Sequence, residues 1–361
     1  MKDRLDKIVE MINNLNLDGV LLTNLGVPMI DYNFIYIVQP RIGIFEGASL
    51  LITPDSAALY VSRLEESAAR ALELARDGRL KVVPMDGYGK LHKDLKRLRR
   101  VGMNLKFTPY HIYKRVADLG LLVMDVSDEL EEIRMVKDED EIELIRKASR
   151  IAERALRDTI GLDVRGMRES ELKAELEYRM VKYGGEIAFP TIVAYDENAA
   201  FPHYTTGAND KLPEKLILID FGVKYRNYVC DITRTFILSW EEEIVKAYKT
   251  VLSAQLKAIE IIRAGIDAEK PDIEARDTIK AEGYPDYPHS LGHMIGVNVH
   301  EGKRLRKGEK YKLIENMVFT VEPGIYLEGK FGIRIEDDIV VKSGGAEVIT
   351  SFPKDPEQVK V

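Results

Sequence analysis

One cysteine, Cys230, is present in 361 residues, so no disulfide can close within the chain, and a reducing compartment is the expected setting. No apolar run approaches the roughly 20 residues needed to span a bilayer, and no membrane segment is expected. The opening, MKDRLDKIVEMINNLNLDG, mixes charge with apolar residues at helical spacing and lacks the uninterrupted apolar stretch of a secretory signal, so a cytoplasmic protein is expected. An excess of cations is missing too. The net charge of −7 argues against a general nucleic-acid binder, and the basic run KDLKRLRR at 93–100 reads as a solvated helix face. Gly87 and Gly89 give GxG without a third glycine or a following apolar helix, which leaves dinucleotide binding unsupported. With only three glutamines and 31% charged residues, the composition leans toward a heat-adapted protein.

What is present suffices for two cores: 361 residues with 45% apolar content suggest two globular domains. Residues 1–125 interleave helical and strand patterns, as an α/β domain does. Leu5, Ile8, Val9 and Ile12 share one helical face, and GVLLT at 19–23 reads as a buried strand. Two strands are expected around Pro54-Asp55-Ser56, then a helix over 64–76, a strand at 81–85, a helix over 91–100 and strands in NLKFTP and LLVMDVS. His92 and His111 lack acidic or thiol partners at ligand spacing and read as ordinary histidines. Residues 126–138 are taken as a linker. Asp138 with Glu141 then forms a capping box that opens a second domain, 139–361. Helices are expected there over 168–183, 241–263 and 270–282, with sheet segments between and after them.

The chemistry concentrates in two hairpins. In LILIDFGVKYRNYVCDITRTF, Asp220 and Asp231 lie symmetrically about Tyr225-Arg226, which would make them direct cross-strand partners. In MVFTVEPGIYL and GIRIEDDIVV, Glu322 and Glu336 are each seven residues from Gly329, so a turn centred there sets them face to face as well. One such acidic pair can be an accident of exposure. Two pairs on strands rich in Ile, Leu, Val and Phe point to a cation, because buried carboxylates must be protonated, paired or metal-bound. YPHSLGHMIGVNVHEG supplies His289, His293 and His300, of which His293, between the acidic hairpins, is the chosen imidazole ligand. Four carboxylates and a histidine suit Mn2+, Co2+, Fe2+ or Zn2+, and the carboxylates outnumber what one divalent ion needs, which suggests two ions.

The ordered set DFG, CDITRTF, HSLGH, VEPGIY and GIRIEDD resembles the M24 metallopeptidases of the pita-bread fold, strongly over 139–361. The region before it is similar to the creatinase-type amino domain of the proline-specific members. The resemblance implies an α+β chain: a pita-bread catalytic domain preceded by a smaller α/β domain. It implies two divalent ions per subunit, Mn2+ or Co2+ foremost, with Asp220 on one, His293 and Glu322 on the other, and Asp231 and Glu336 bridging. Hydrolysis of the bond preceding proline would follow, with Glu322 as proton shuttle and His203 and His300 contacting substrate and the tetrahedral intermediate. Arg334 is suited to orient a ligand carboxylate, with a surface salt bridge as its alternative, and Tyr204 to shape the pocket. His289 reads as a supporting or structural residue, and Cys230 as packing on the opposite strand face. The family commonly has GHG where this chain has Gly292-His293-Met294, and Met294 is expected to narrow the pocket. HEGKR resembles the prolidase segment HE-x-x-R, whose arginine here is Arg304, a clamp for a dipeptide carboxylate, although Lys303 replaces the usual proline. ENAAFPHYTT instead resembles aminopeptidase P. The expectation is therefore an Xaa-Pro dipeptidase acting on small proline peptides as a homodimer, with aminopeptidase P on longer peptides, or a non-catalytic binding member, as alternatives.

Overall fold

The computed structural model describes residues 4–358 and divides them between Arg134 and Met135. In the first unit, α1 (Arg4–Asn14) buries Leu5, Ile8, Met11 and Ile12, the face expected except that Met11 stands in for Val9. The chain continues through β1 (Gly19–Asn24), α2 (Tyr32–Val38), β2 (Ala48–Thr53), β3 (Ser56–Ser62), α3 (Glu66–Arg70), α4 (Glu73–Arg76), β4 (Lys81–Met85), α5 (Gly89–Leu95), β5 (Arg100–Met103), α6 (Tyr110–Ala117), β6 (Leu122–Asp125) and α7 (Ser127–Met135). Its strands form one mixed sheet in the order β4-β3-β2-β1-β5-β6.

Three local expectations are corrected. The helix over 64–76 is two short helices, because Leu72 adopts an extended backbone between them. The strand placed in NLKFTP is β5, immediately before it, which pairs with β1 and β6 and shortens the preceding helix. Residues 126–138 are no open linker: most of them form α7, whose first turn carries Asp128 and Glu129 near the helix N-terminus, where negative charge is favourable.

The second unit opens with α8 (Glu139–Ile160), capped by the expected reciprocal bonds between Asp138 and Glu141. It continues through α9 (Glu169–Lys182), β7 (Glu186–Ile187), β8 (Ile192–Tyr195), β9 (Leu216–Phe221), β10 (Val223–Tyr225), β11 (Tyr228–Val229), β12 (Ile232–Ile237), α10 (Glu242–Ile261) and α11 (Lys270–Ala281). The remaining strands are β13 (Gly292–Met294), β14 (Glu301–Leu305), β15 (Val318–Val321), β16 (Gly324–Leu327), β17 (Phe331–Arg334), β18 (Asp337–Val341) and β19 (Ala346–Val348). A three-stranded sheet β12-β9-β8 and a five-stranded sheet β14-β13-β15-β18-β19 carry the site, and β16 pairs with β17 beside them. Leu156, Leu176, Ile219, Phe236, Val251, Phe319 and Ile339 belong to one buried cluster joining helices and sheets. Each such side chain contributes about 1.5–3 kcal/mol through burial.

Polar groups also enter this interior. Lys137 Nζ meets Glu301 Oε1 at 2.7 Å with side chains only 1% and 3% exposed. Lys137→Met should destabilise the fold by about 3 kcal/mol, since it takes the ammonium away from a buried carboxylate, whereas Lys137→Met with Glu301→Leu should lose much less. Urea denaturation of both variants checks this, and equal losses would contradict it.

Candidate metal centre

The first hairpin turns through Arg226 and Asn227, both at positive φ, so Tyr225 pairs with Tyr228 in a two-residue loop. That choice moves the ladder by two residues from the symmetric register. Asp220 therefore pairs with Thr233, and the expected direct pairing with Asp231 is corrected to a diagonal one. A two-residue offset keeps both aspartates on one face, whereas an offset of one would have separated them. Asp231 itself falls in a break between β11 and β12, where its backbone N–H donates to Asp338 Oδ2 at 3.0 Å.

The second hairpin keeps the expected register. Val321 pairs with Asp337 and Gly324 with Arg334, so Glu322 stands opposite Glu336 where the ladder passes from one sheet to the next. His293 arrives on β13, with its backbone N–H bonded to Thr320 Oγ1 at 3.2 Å. Gly292 permits that approach, because a Cβ there would lie 1.9 Å from the Thr320 carbonyl oxygen.

One ligating atom from each of Asp231, His293 and Glu336 lies within 4.8 Å of the others, and all three residues are buried. His293 Nε2 is 3.7 Å from Asp231 Oδ2 and 3.6 Å from Glu322 Oε1. These separations are too long for hydrogen bonds, yet they suit ligands sharing an ion at about 2.0–2.2 Å from each. Buried Oδ1 atoms of Asp220 and Asp231 have no hydrogen-bond partner. A carboxylate with an orphaned oxygen, grouped with an imidazole and a second buried carboxylate, is a donor set that a divalent cation would complete.

The electrostatics agree. Burial and the Glu336 carboxylate push Asp231 well above the usual carboxylate range. The same two causes raise Glu322, while burial and Asp220 push Glu336 up to about 8. Burial and the neighbouring His300 push His293 down to about 3, which keeps its imidazole neutral. Its Nδ1 faces the Met294 carbonyl at 3.4 Å, leaving Nε2 turned to the acids.

Arg334 is 2% exposed, so the surface salt bridge is excluded. It bonds Asp220 Oδ2 at 2.5 Å, Thr233 Oγ1 at 3.1 Å and Tyr326 Oη at 3.0 Å. Tyr326 in turn meets His289 Nε2 at 2.9 Å, while His289 Nδ1 faces the Ser290 carbonyl at 2.8 Å. Burial and Arg334 push His289 down to about 4, so it accepts from the tyrosine as a neutral ring. Thr233 Oγ1 donates to Glu336 Oε2 at 2.6 Å. Thr233, Tyr326 and Asp338 escaped the sequence reading. Alternation from Asp231 to Thr233 and from Glu336 to Asp338 could have flagged two of them, but Tyr326 had no such signal.

His300 is exposed, with its ring centroid 4.2 Å from that of His293, and burial of part of the ring with Arg304 nearby lowers its pKa. Arg304 pairs with His293 in the β13–β14 ladder and is exposed beside it. His203 is exposed. Tyr204 is buried, and its hydroxyl is committed to Glu169 Oε2 at 2.8 Å and to the Asn209 N–H at 2.9 Å, which corrects its placement among the groups offered to a substrate. Met294 is fully buried in the core, with Gly302 leaving room above its sulfur, so it does not narrow a cleft. Cys230 is a buried free thiol, raised by burial, and packs in the same core.

Comparison with known proteins follows the same division. Residues 4–136 match the creatinase/prolidase N-terminal domain, and residues 143–343 match metallopeptidase family M24. An Xaa-Pro dipeptidase from Pyrococcus furiosus is 33% identical over 362 residues, 98% of this chain and 99% of the relative. Among solved structures, an X-Pro aminopeptidase from Thermotoga maritima aligns with a TM-score of 0.89 at 35% identity, covering 98% of this chain and 99% of that one. The prolidase from Pyrococcus horikoshii aligns with a TM-score of 0.87 at 33% identity, covering 97% and 98%. With a match across most of its second unit and relatives along nearly its whole length, the chain belongs to metallopeptidase family M24.

Proposed function

We propose that this metallopeptidase is an Xaa-Pro dipeptidase that holds two divalent ions, Mn2+ or Co2+ foremost and Fe2+ or Zn2+ as alternatives. The observation that carries the reading is the buried Asp231, His293 and Glu336 cluster with its unpartnered carboxylate oxygen. Asp220 would serve one ion, His293 and Glu322 the other, and Asp231 and Glu336 both. Bound there, the ions supply Lewis acidity and a water acidic enough to deprotonate near neutral pH.

The chain's own residues do the rest. Arg334 fixes Asp220, and Thr233 fixes Glu336, so two ligands are oriented before substrate arrives. Glu322, its pKa raised, can take a proton and return it to the departing proline nitrogen. His300, held neutral, and His203 would donate to charge developing on the carbonyl oxygen. Arg304 would receive the free carboxylate of a dipeptide, and its place opposite His293 supports that choice over longer substrates.

After chelation and reloading with Mn2+ or Co2+, Ala-Pro, Met-Pro and Leu-Pro should be hydrolysed faster than Xaa-Pro-Xaa tripeptides. Faster tripeptide turnover would favour aminopeptidase P, a reading supported by the similarity to the Thermotoga maritima enzyme. Stoichiometric metal without turnover on any proline peptide would leave a binding protein. Arg304→Ala should raise KM for dipeptides about 10–100-fold, the loss of one charged hydrogen-bond pair, with little change for tripeptides. Equal effects on both substrates would remove the clamp role.

A cytoplasmic homodimer completes the proposal. The lone buried thiol is compatible with a reducing compartment, and among the described residues no helix is long and apolar enough to cross a membrane. Val27, Ile42, Ile44 and Leu64 are 66–89% exposed on the first unit, apolar surface that a partner subunit would cover. Sedimentation at a monomer's mass across micromolar concentrations would rule the dimer out.

A further inference from the structure

The ligands Asp231 and Glu336 flank a seam where β12 meets the β17–β18 junction, and the bonds across that seam converge on Arg234. The side chain is fully buried. One terminal nitrogen, Nη1, donates to the carbonyls of Thr233 at 2.9 Å and Glu336 at 2.5 Å. The other, Nη2, meets Asp337 Oδ1 at 2.6 Å and the Phe352 carbonyl at 2.8 Å, while Nε reaches the Phe352 and Pro353 carbonyls at 3.2 Å each. Asp337 also accepts from Thr350 Oγ1 at 2.7 Å, from Gln255 Nε2 at 3.0 Å and from the Lys354 ammonium. The C-terminal segment 350–354 thus closes over the guanidinium. Phe352 is buried edge-on to Phe236, and Tyr248 Oη donates to the Lys354 carbonyl at 3.0 Å.

Strand alternation places Arg234 on the face opposite Thr233. Glu336 is consequently held twice: its carboxylate by Thr233 on the site's side, and its backbone carbonyl by Arg234 from behind. We propose that Arg234, paired with Asp337 and capped by segment 350–354, is a positioning residue that fixes the spacing of Glu336 and Asp231 for metal. The inference rests on the metal-dependent reading of the site. Its physical basis is geometric. Four carbonyls and a carboxylate around one group require a planar fork of fixed donors, which arginine has and lysine lacks. Carboxylates that repel one another need such a tie to hold their separation before a cation binds.

The test measures Mn2+ affinity of the full chain by competition with a chromogenic chelator, alongside thermal melting in excess chelator. Arg234→Lys keeps a cation beside Asp337 but loses the fork. Its metal-free melting should fall by several degrees, because buried carbonyls lose donors, without loss of the folded state, while its dissociation constant for Mn2+ rises about 10–100-fold, with kcat recovering at saturating metal. Wild-type affinity in this variant overturns the proposal. So does an affinity loss matched by a collapse of metal-free stability, which would make the role structural only. Where Arg234→Lys fails to fold, Lys354→Met removes a partner of Asp337 that is 21% exposed and leaves Arg234 in place. It should weaken Mn2+ binding about threefold or more at near-native melting, and unchanged affinity again overturns the proposal. A wild-type chain that binds no Mn2+ or other divalent ion would instead defeat the metal reading itself.

Discussion

Replacing Asp231 by asparagine is expected to lower kcat/KM for Ala-Pro by at least about 10³-fold and to disturb metal at both proposed positions. Losing Lewis acidity removes several kcal/mol of transition-state stabilisation, and each 1.36 kcal/mol is tenfold in rate. Asp220→Asn should release mainly one equivalent, because Asp220 is assigned to a single ion. Metal-free stability should move the other way. Burial and the charges of Glu336, Asp220, Asp338 and Glu322 all oppose ionised Asp231, so a neutral amide relieves repulsion. The metal-free Asp231→Asn protein should therefore melt no lower than wild type, by differential scanning calorimetry in chelator. Elemental analysis tests the assignment: two full equivalents retained in both variants would falsify it.

The second large effect is an opposite pH dependence of stability with and without metal. In the metal-free chain Glu336 is raised from 4.5 to about 8, and Asp231 and Glu322 are raised well above their ordinary values. Over that window the folded state binds more protons than the unfolded one, so unfolding free energy falls as pH rises. Its benefit is full below the unfolded pKa and is lost as pH climbs from about 4.5 through 8. His293, depressed to about 3, acts in the other direction only below its unfolded value of 6.5, where the unfolded imidazole takes up a proton that the folded one refuses. Above pH 6.5 the carboxylates alone set the slope. Metal-free Tm should fall by about 5 °C or more from pH 6.5 to 8, whereas with Mn2+ it should hold or rise, because deprotonated carboxylates and a neutral imidazole are what the ion binds. Parallel Tm profiles in chelator and in Mn2+ would contradict this.

Much of the candidate site was legible because the relevant patterns are local. The spacing of Glu322 and Glu336 about Gly329 specifies their pairing, since a three-residue loop at Glu328–Lys330 leaves the register symmetric. Tyr225 through Tyr228 illustrates the limit. Placing the turn at Tyr225-Arg226 rather than Arg226-Asn227 changes the register by two residues, and side-chain alternation cannot distinguish the two because both keep the acids on one face. Met294 misled for a different reason: its neighbour His293 marks the site, but the ladder is irregular between the two residues and Met294 packs into the core.

By itself the sequence determined the two-unit organisation, the capping box at Asp138, the acidic hairpins and the order of acidic and histidine motifs that resembles the family, because each depends on residues close in the chain or on their sequential order. Only the tertiary structure decided which groups surround those acids and histidines. Thr233 on Glu336, Arg334 and Tyr326 behind Asp220, and Phe352 and Lys354 over Arg234 and Asp337 come from segments up to 118 residues apart. Their identity is set by how sheets and helices pack, and buried charges must find partners wherever that packing places them.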